Sequence, residues 1–268
     1  MKNIWLWILA FLITIGAAIY QRMTGPTYPK KINITLNGKE YKIKLPRSHG
    51  GQDQCPVIIP AKDSLISAFL YYKRYKVNEN YTAIPMSKTN KGLIAFLPGQ
   101  PPAGKLEYYI EFSTPQGKIG IPKDETVVIR FKGIVPSYIL ALHIFFMFFA
   151  MMWANYTALA ALYKKKHLLK PALITLILFF IGGIIFGPIV QKYAFGEYWT
   201  GIPFGWDLTD NKTLIVFIAW IIAVLFNIKK TKQWAIIIAA IITLMVYSIP
   251  HSMHGSELDY KTGVVKQG

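Results

Sequence analysis

The chain is poor in cysteine, in acidic side chains and in charge of any sign. One cysteine, Cys55, among 268 residues excludes an intramolecular disulfide, a dithiol redox pair and a CxxCH attachment site for c-type haem. There is no Cys/His run with zinc spacing. Charged residues make up 16% of the chain, where a soluble domain carries about a quarter. Acids are scarcer still: 13 Asp and Glu stand against 30 Lys and Arg. The sequence also lacks GxSxG, HExxH and P-loop motifs and has no carboxylate pair inside an apolar run. A hydrolase or transferase therefore has no support in it, and a non-enzymatic protein is expected. A transporter relay is equally unsupported, because the apolar runs hold no ionisable side chain at depth apart from His143.

What remains is apolar and unevenly distributed. Hydrophobic residues reach 53%. Residues 21–134 hold 18 of the Lys and Arg and 8 of the Asp and Glu, and the other 154 residues hold only 12 and 5. Two compartments of different composition follow. The basic residues form no single stripe and the aromatics lie mostly in apolar runs, so no nucleic-acid partner is expected. Membrane lipid is the expected surroundings, and a basic solvated surface over 21–134 is the plain reading of its lysines.

Five apolar runs are long enough to be considered as spans. They are Ile4 to Tyr20, Ser137 to Tyr163, Pro171 to Val190, Thr213 to Asn227 and Ala235 to Ile249. The first is preceded by Lys2 and contains Gly16-Ala17-Ala18, which also suits signal-peptide cleavage; a retained anchor is the expectation. Short loops with Lys164, Lys165, Lys166 and Lys170, and with Lys229, Lys230 and Lys232, belong inside by the positive-inside rule. The N-terminus then lies inside the bacterial cytoplasmic membrane, and residues 21–134, the 191–212 loop and the C-terminus lie outside. Gly183 and Gly187 have the small-xxx-small spacing of close helix packing. Asn155 is expected to face the bundle and bond to a neighbour.

Between the first two runs the period changes to two. Lys31 to Leu36 and Tyr41 to Leu45 alternate around Asn37-Gly38, a hairpin with a type I′ turn. Further strands are expected at Leu65 to Tyr75, Gly92 to Leu97, Leu106 to Phe112 and Thr126 to Phe131, separated by Pro- and Gly-rich turns. The expected fold is a five-span helical bundle carrying an inserted all-β sandwich of immunoglobulin or fibronectin-III type, in which a tyrosine of Gly104 to Phe112 forms a tyrosine corner. The divisions are an anchor over 1–20, the β-domain over 21–134, a four-helix membrane domain over 135–250 and a solvated tail over 251–268 containing Glu257 and Asp259.

The candidate site lies in the loop Phe195-Gly-Glu-Tyr-Trp-Thr-Gly-Ile-Pro-Phe-Gly-Trp-Asp207. Trp199 and Trp206 offer faces on which a flat aromatic ligand can stack. His143 falls about 10 Å into its span at 1.5 Å per residue. His251 and His254 follow the last run, on the same expected side, and neutral imidazole ligates haem iron, copper or zinc. Plain readings stand beside these. Trp and Tyr anchor membrane boundaries. Asp207 and Asp210 suit a helix start. His143 can simply bond a backbone carbonyl.

Gly196-Glu-Tyr-Trp199, Gly205-Trp-Asp207 and the two flanking histidine positions resemble the haem-handling membrane proteins of cytochrome c maturation. Those proteins carry a loop of the form W-G-x-x-W-x-W-D between outward-facing histidines. The resemblance implies that Trp199, Trp206 and Asp207 dock haem and that His143 with His251 or His254 supplies axial ligands. The chain departs from that pattern in Phe195, which replaces the first tryptophan, in the longer segment Thr200 to Phe204, and in having five runs. The implied role is haem binding or transfer during assembly of a cytochrome or respiratory complex. Two alternatives stay open: a copper site at His251-Ser-Met-His254, and a scaffold whose β-domain binds an envelope or respiratory protein.

Overall fold

A computed structural model of the chain describes residues 4–250 and 256–266. The chain divides into two compact units. Among the described residues, a helical unit comprises 4–26, 135–250 and Ser256; a β unit comprises Thr27–Ile134 with Glu257–Lys266.

The helical unit contains α1 (Ile4–Thr24), α2 (Ser137–Leu162), α3 (Leu169–Phe195), α4 (Leu208–Asn227) and α5 (Gln233–Ser248). The first four are long and apolar enough to cross a membrane. The fifth has 16 residues, about 24 Å at 1.5 Å per residue, against a hydrocarbon thickness of about 30 Å. α1, α3 and α4 cover their expected runs, and α2 and α5 end one residue short of theirs, at Leu162 and Ser248.

The helix core is built mostly from small residues. Ala150, Ala154, Ala160, Ala172, Ala223, Ala239 and Ala240 share one cluster with Trp220 and Phe179, and such small residues let helix backbones approach closely. Trp220 sends its indole N–H to Thr243 Oγ1 at 3.0 Å. Between α1 and α2, Asn155 donates to Thr14 Oγ1 at 3.0 Å, and Trp7 stacks on Tyr156 with centroids 3.9 Å apart. Asn155 thus turns into the bundle as its polarity demanded.

The middle of α3 is a π-helical stretch, Phe180–Phe186. A Cβ on Gly182 would meet Phe146 Cβ at 2.9 Å and Met147 N at 3.0 Å, and one on Gly183 would meet Thr213 Cγ2 at 2.7 Å. Close packing was expected of Gly183 and Gly187. Gly183 packs tightly as expected, the second tight contact falls on Gly182, also within the π-helical stretch, and Gly187 has nothing closer than 3.8 Å.

The strands of the β unit run in chain order β1 (Lys30–Leu36), β2 (Lys39–Leu45), β3 (Ser48–Gly50), β4 (Cys55–Ile59), β5 (Ser67–Arg74), β6 (Thr82–Pro85), β7 (Ser87–Thr89), β8 (Gly92–Leu97), β9 (Lys105–Thr114), β10 (Gly117–Ile121), β11 (Val127–Lys132), β12 (Glu257–Leu258) and β13 (Val265–Lys266). The expected hairpin is β1–β2, with Asn37 and Gly38 both at positive φ (51° and 73°). Besides the two-stranded hairpins β1-β2 and β12-β13, a larger, six-stranded sheet has the order β3-β11-β9-β5-β6, with β10 also on β9, and a three-stranded sheet has the order β4-β8-β7. β9 is the spine. It pairs with β5 along one side, and with β11 and then β10 along the other.

Leu36, Ile43 and Leu45 from the hairpin join Val57, Ile59, Leu70, Leu97, Ile110, Phe112 and Phe131 in one core. Cys55 belongs to it at 3% exposure, and burial pushes its thiol up to about 11, with the Asp53 charge adding to the rise. It is a small core residue. Tyr108 is buried and its hydroxyl donates to Pro46 O at 2.8 Å.

The C-terminal segment departs from expectation. Residues 257–266 form a hairpin that belongs to the β unit, with Leu258 N–H on Ala103 O at 3.0 Å. Glu257 is half-buried rather than free in solvent: its carboxylate meets the Lys105 ammonium at 2.7 Å and Lys76 at 3.2 Å.

Candidate functional site

The aromatic loop starts where Gly196, at φ 93°, ends α3 by returning its N–H to Lys192 O. The next turn is tied down by one carboxylate oxygen. Asp210 Oδ2 accepts from Thr200 N at 2.6 Å, Gly201 N at 3.1 Å, Thr200 Oγ1 at 3.2 Å and Gln191 Nε2 at 3.1 Å. Asn211 Oδ1 accepts from Ile202 N at 2.8 Å, and Trp199 Nε1–H donates to Ile202 O at 3.1 Å. Gly201 is required here, since a Cβ would lie 2.7 Å from Asp210 Cβ. Asp207 N–H closes the loop on Thr200 O at 3.0 Å.

Asp207 is the N-cap of α4: its side chain accepts from Thr209 N at 2.8 Å and Asp210 N at 3.2 Å. Its carboxylate is therefore spent on the helix start, where a negative charge is favoured. Asp210 does not share that role. It turns back to the loop, where charge-assisted hydrogen bonds are stronger than neutral ones. Polar side chains thus fix the loop from beneath and leave its large rings outside: Phe204 is 80% exposed and Trp206 79%.

His143 is placed differently. Its Nδ1 is 2.9 Å from Gly182 O, which also receives the Gly187 N–H. A carbonyl only accepts, so Nδ1 carries the hydrogen, and neutral imidazole then presents Nε2 as a lone pair. That is the tautomer of a metal-ligating histidine held by a backbone carbonyl; it is also the bond of a purely structural one. Gly187, beside His143 Cε1, stands about 12 Å down the helix axis from Phe195 at 1.5 Å per residue. The structure therefore joins Trp199 and Asp207 in one hydrogen-bonded loop with Trp206 exposed on it, and sets His143 into the helix packing below. His251 and His254 lie outside the described residues. Among the described residues, no three His, Cys, Asp or Glu side chains gather as a metal site.

Lys212 escaped the sequence reading. It sits in the second turn of α4 at 4% exposure, and its ammonium donates to Ile249 O at 2.9 Å and Pro250 O at 3.3 Å, past the end of α5. The sequence signal was present as a lysine two residues after Asp210, but a charge at a span's edge ordinarily faces water. No family model matches this chain, and no curated protein sequence matches it.

Proposed function

We propose that the chain is a non-enzymatic integral protein of the bacterial cytoplasmic membrane, with five spans, its N-terminus inside and its β unit and C-terminus outside. In this reading the aromatic loop receives a flat amphipathic ligand, haem, at the outer boundary, and the protein serves assembly of a cytochrome or respiratory complex. The observation that carries it is the construction of the loop: its backbone is fixed through Asp210 and Asn211 while Phe204 and Trp206 are turned outward. A preorganised apolar platform costs less ordering on binding than a mobile loop. Trp206 and Phe204 would take the ring face. His143, in the tautomer that leaves Nε2 open, and His251 or His254 are the candidates for iron. The basic loops at 164–170 and 229–232 support the orientation, and a six-stranded and a three-stranded sheet that share one core with the β1–β2 hairpin support an immunoglobulin-like reading of the β unit.

A second reading is a scaffold that binds an envelope protein through the β unit. It is favoured by the outer face of the larger sheet, where Tyr71 and Tyr109 stack with centroids 4.9 Å apart beside exposed Phe69. The test of the first reading is a visible spectrum of the full chain purified in neutral detergent with haem supplied. A Soret band that falls several-fold in the Phe204→Ala, Trp206→Ala double variant is expected. A band unchanged by that variant, or no band, sinks the haem reading. Loss of partner pull-down on replacing Tyr71 and Tyr109, with loop variants normal, favours the scaffold.

A further inference from the structure

At one end of the helical unit two short loops are joined. The connection from α2 to α3 carries Lys164, Lys165 and Lys166, with Lys170 in the first turn of α3. The connection from α4 to α5 carries Lys229, Lys230 and Lys232. Thr231 Oγ1 donates to Lys166 O at 2.6 Å across 65 residues of chain, and Leu168 and Ile236 share the buried cluster of the same unit. Two basic loops thus form one surface, on which all these lysines except Lys165 are exposed. The chain has no Asp or Glu at 1–39, 156–196 or 211–256. Among the described residues, no ion pair includes a lysine of either loop.

Helix physics explains some of these lysines. A cation beyond a helix C-terminus is favoured, which suits Lys164 to Lys166 after α2 and Lys229 and Lys230 after α4. Lys170 and Lys232 stand at the opposite pole. Lys170 is the second residue of α3, and Lys232 is the N-cap of α5 and makes no capping side-chain bond there. The helix dipole opposes a cation at that end, and Ser, Thr, Asn or Asp would cap it. Lys164 takes a left-handed φ of 50°, which glycine adopts at least cost. The positive-inside rule accounts for the sign of each loop but not for their being bonded together. Like charges held on one small surface repel, and an anion between them removes that repulsion.

The aromatic residues at this end point to the source of the anion. Tyr163 and Trp234 are 60% and 51% exposed. Tyr163 meets Trp5 edge-on at 4.7 Å between centroids, and Trp234 leans on Phe226 at 5.1 Å. Such rings settle at the head-group level of a bilayer. Lysines at that level meet lipid phosphates, and basic pockets between helix ends are where anionic head groups bind.

We propose that the two joined loops form one site for the head group of an anionic phospholipid, with its phosphate between the lysines of both. The site rests on the reading of the chain as a membrane protein and is independent of the haem reading. Membrane insertion fails separately, if the chain stays monodisperse without detergent.

The test is native mass spectrometry of the full chain in neutral detergent, titrated with dioleoyl phosphatidylglycerol and with dioleoyl phosphatidylcholine. The acyl chains are identical, so only the head group is compared. The anionic lipid is expected to bind at least fivefold more tightly. The triple variant Lys166→Gln, Lys230→Gln, Lys232→Gln is expected to abolish that preference; four lysines remain in the two loops, which keeps the orientation signal. The triple variant Lys42→Gln, Lys44→Gln, Lys91→Gln removes the same charge from exposed positions of the β unit and is expected to keep the preference. Thr231→Val retains every charge but severs the bond between the loops, and is expected to weaken binding of the anionic lipid at least threefold. Equal binding of the two lipids assigns the lysines to a non-lipid acidic partner and overturns the proposal. A preference that survives the loop triple variant, or falls equally in both triple variants, overturns it as an effect of overall charge. Unchanged binding in Thr231→Val overturns the shared site.

Discussion

Glu257 places its carboxylate 2.7 Å from the ammonium of Lys105, 152 residues earlier in the chain. The C-terminal hairpin is held to the β unit by this contact, by Tyr260, whose hydroxyl oxygen accepts from Lys105 N at 2.9 Å, and by Leu258 N–H on Ala103 O. Burial pushes the Glu257 carboxyl up, but the hydrogen bonds and charges of Lys105 and Lys76 outweigh it and leave it below the usual glutamate value of 4.5. A carboxyl depressed in the folded state stabilises above its unfolded pKa, and that stability is lost as pH falls through the folded value. Attachment of the hairpin is thus expected to be full at pH 7 and to weaken from about pH 4.5 downward. Protection of the Leu258 amide from hydrogen exchange should drop over that range. Glu257→Gln should give lower protection at pH 7, by about 1 kcal/mol, with no further fall. Protection in that variant that still drops with acid would assign the pH dependence to another group.

Little of this hairpin was legible in the sequence, and the reason is physical. β12 and β13 have two residues each, too few to show a period, and Glu257 and Asp259 have the composition of a solvated tail. β4 was hidden by Pro56, which an edge strand tolerates; β3, β6 and β7 are three or four residues long. The long alternating strands and the apolar helices were readable because burial on one face, or on all of them, writes itself into the residue pattern. The aromatic loop was readable as a composition, but its support was not. Nothing in one dimension says that Asp210 turns from its own helix to Thr200 and Gly201, or that Lys212 turns inward.

Asp207 and Asp210 are three residues apart and should answer differently to truncation. Asp207→Ala removes a cap worth about 1 kcal/mol. Asp210→Ala removes the acceptor of the Thr200 and Gly201 amides and strands partly buried N–H groups, at about 2–3 kcal/mol. Asp210→Ala should therefore raise acrylamide quenching of tryptophan and expose the loop to protease while helix content stays constant. Asp207→Ala should lower the melting temperature and change quenching much less. Equal quenching in the two variants would mean that the loop is not held through Asp210.

Tyr108 carries the only ring hydroxyl of the β unit that is fully enclosed by its core. Its bond to Pro46 O spans 62 residues, from β9 to the end of β2, whereas a tyrosine corner bonds back only a few residues. It joins hairpin to sheet. Tyr108→Phe keeps the ring and leaves the Pro46 carbonyl without this donor, a loss of about 1–2 kcal/mol. Chemical denaturation followed by tyrosine fluorescence or circular dichroism measures it, and a loss below about 0.3 kcal/mol would mean water replaces the phenol without cost.

The Asn155–Thr14 bond invites a larger number than it should receive. Side-chain hydrogen bonds between helices in membranes average about 0.6 kcal/mol, because the unpaired groups find other partners. Asn155→Ala is expected to cost about that from the bond, plus the packing of a smaller side chain, and a double-mutant cycle with Thr14→Ala isolates the bond. A coupling energy above about 2 kcal/mol would show that α1 depends on this contact for its place against α2, where Trp7 and Tyr156 already stack.

Gly182 and Gly183 separate two kinds of close packing. An added methyl at Gly183 meets Thr213 Cγ2 at 2.7 Å, the end of a side chain that can rotate or be shortened; at Gly182 it meets Met147 N at 3.0 Å and Phe146 Cβ at 2.9 Å, which cannot move without α2. Overpacking of this sort costs about 1–3 kcal/mol, and the two positions should fall at opposite ends of that range. Gly183→Ala is expected to be mild and to be restored by Thr213→Ser. Gly182→Ala is expected to be severe, to resist rescue at Met147 because the clash is with its backbone, and to shift the carbonyl that His143 bonds. Thermal unfolding in detergent ranks the variants. Should Gly183→Ala prove the worse of the two, the helices would have to meet chiefly through the Gly183–Gly187 face that the spacing suggested, and the backbone contact at Gly182 would not be what limits their approach.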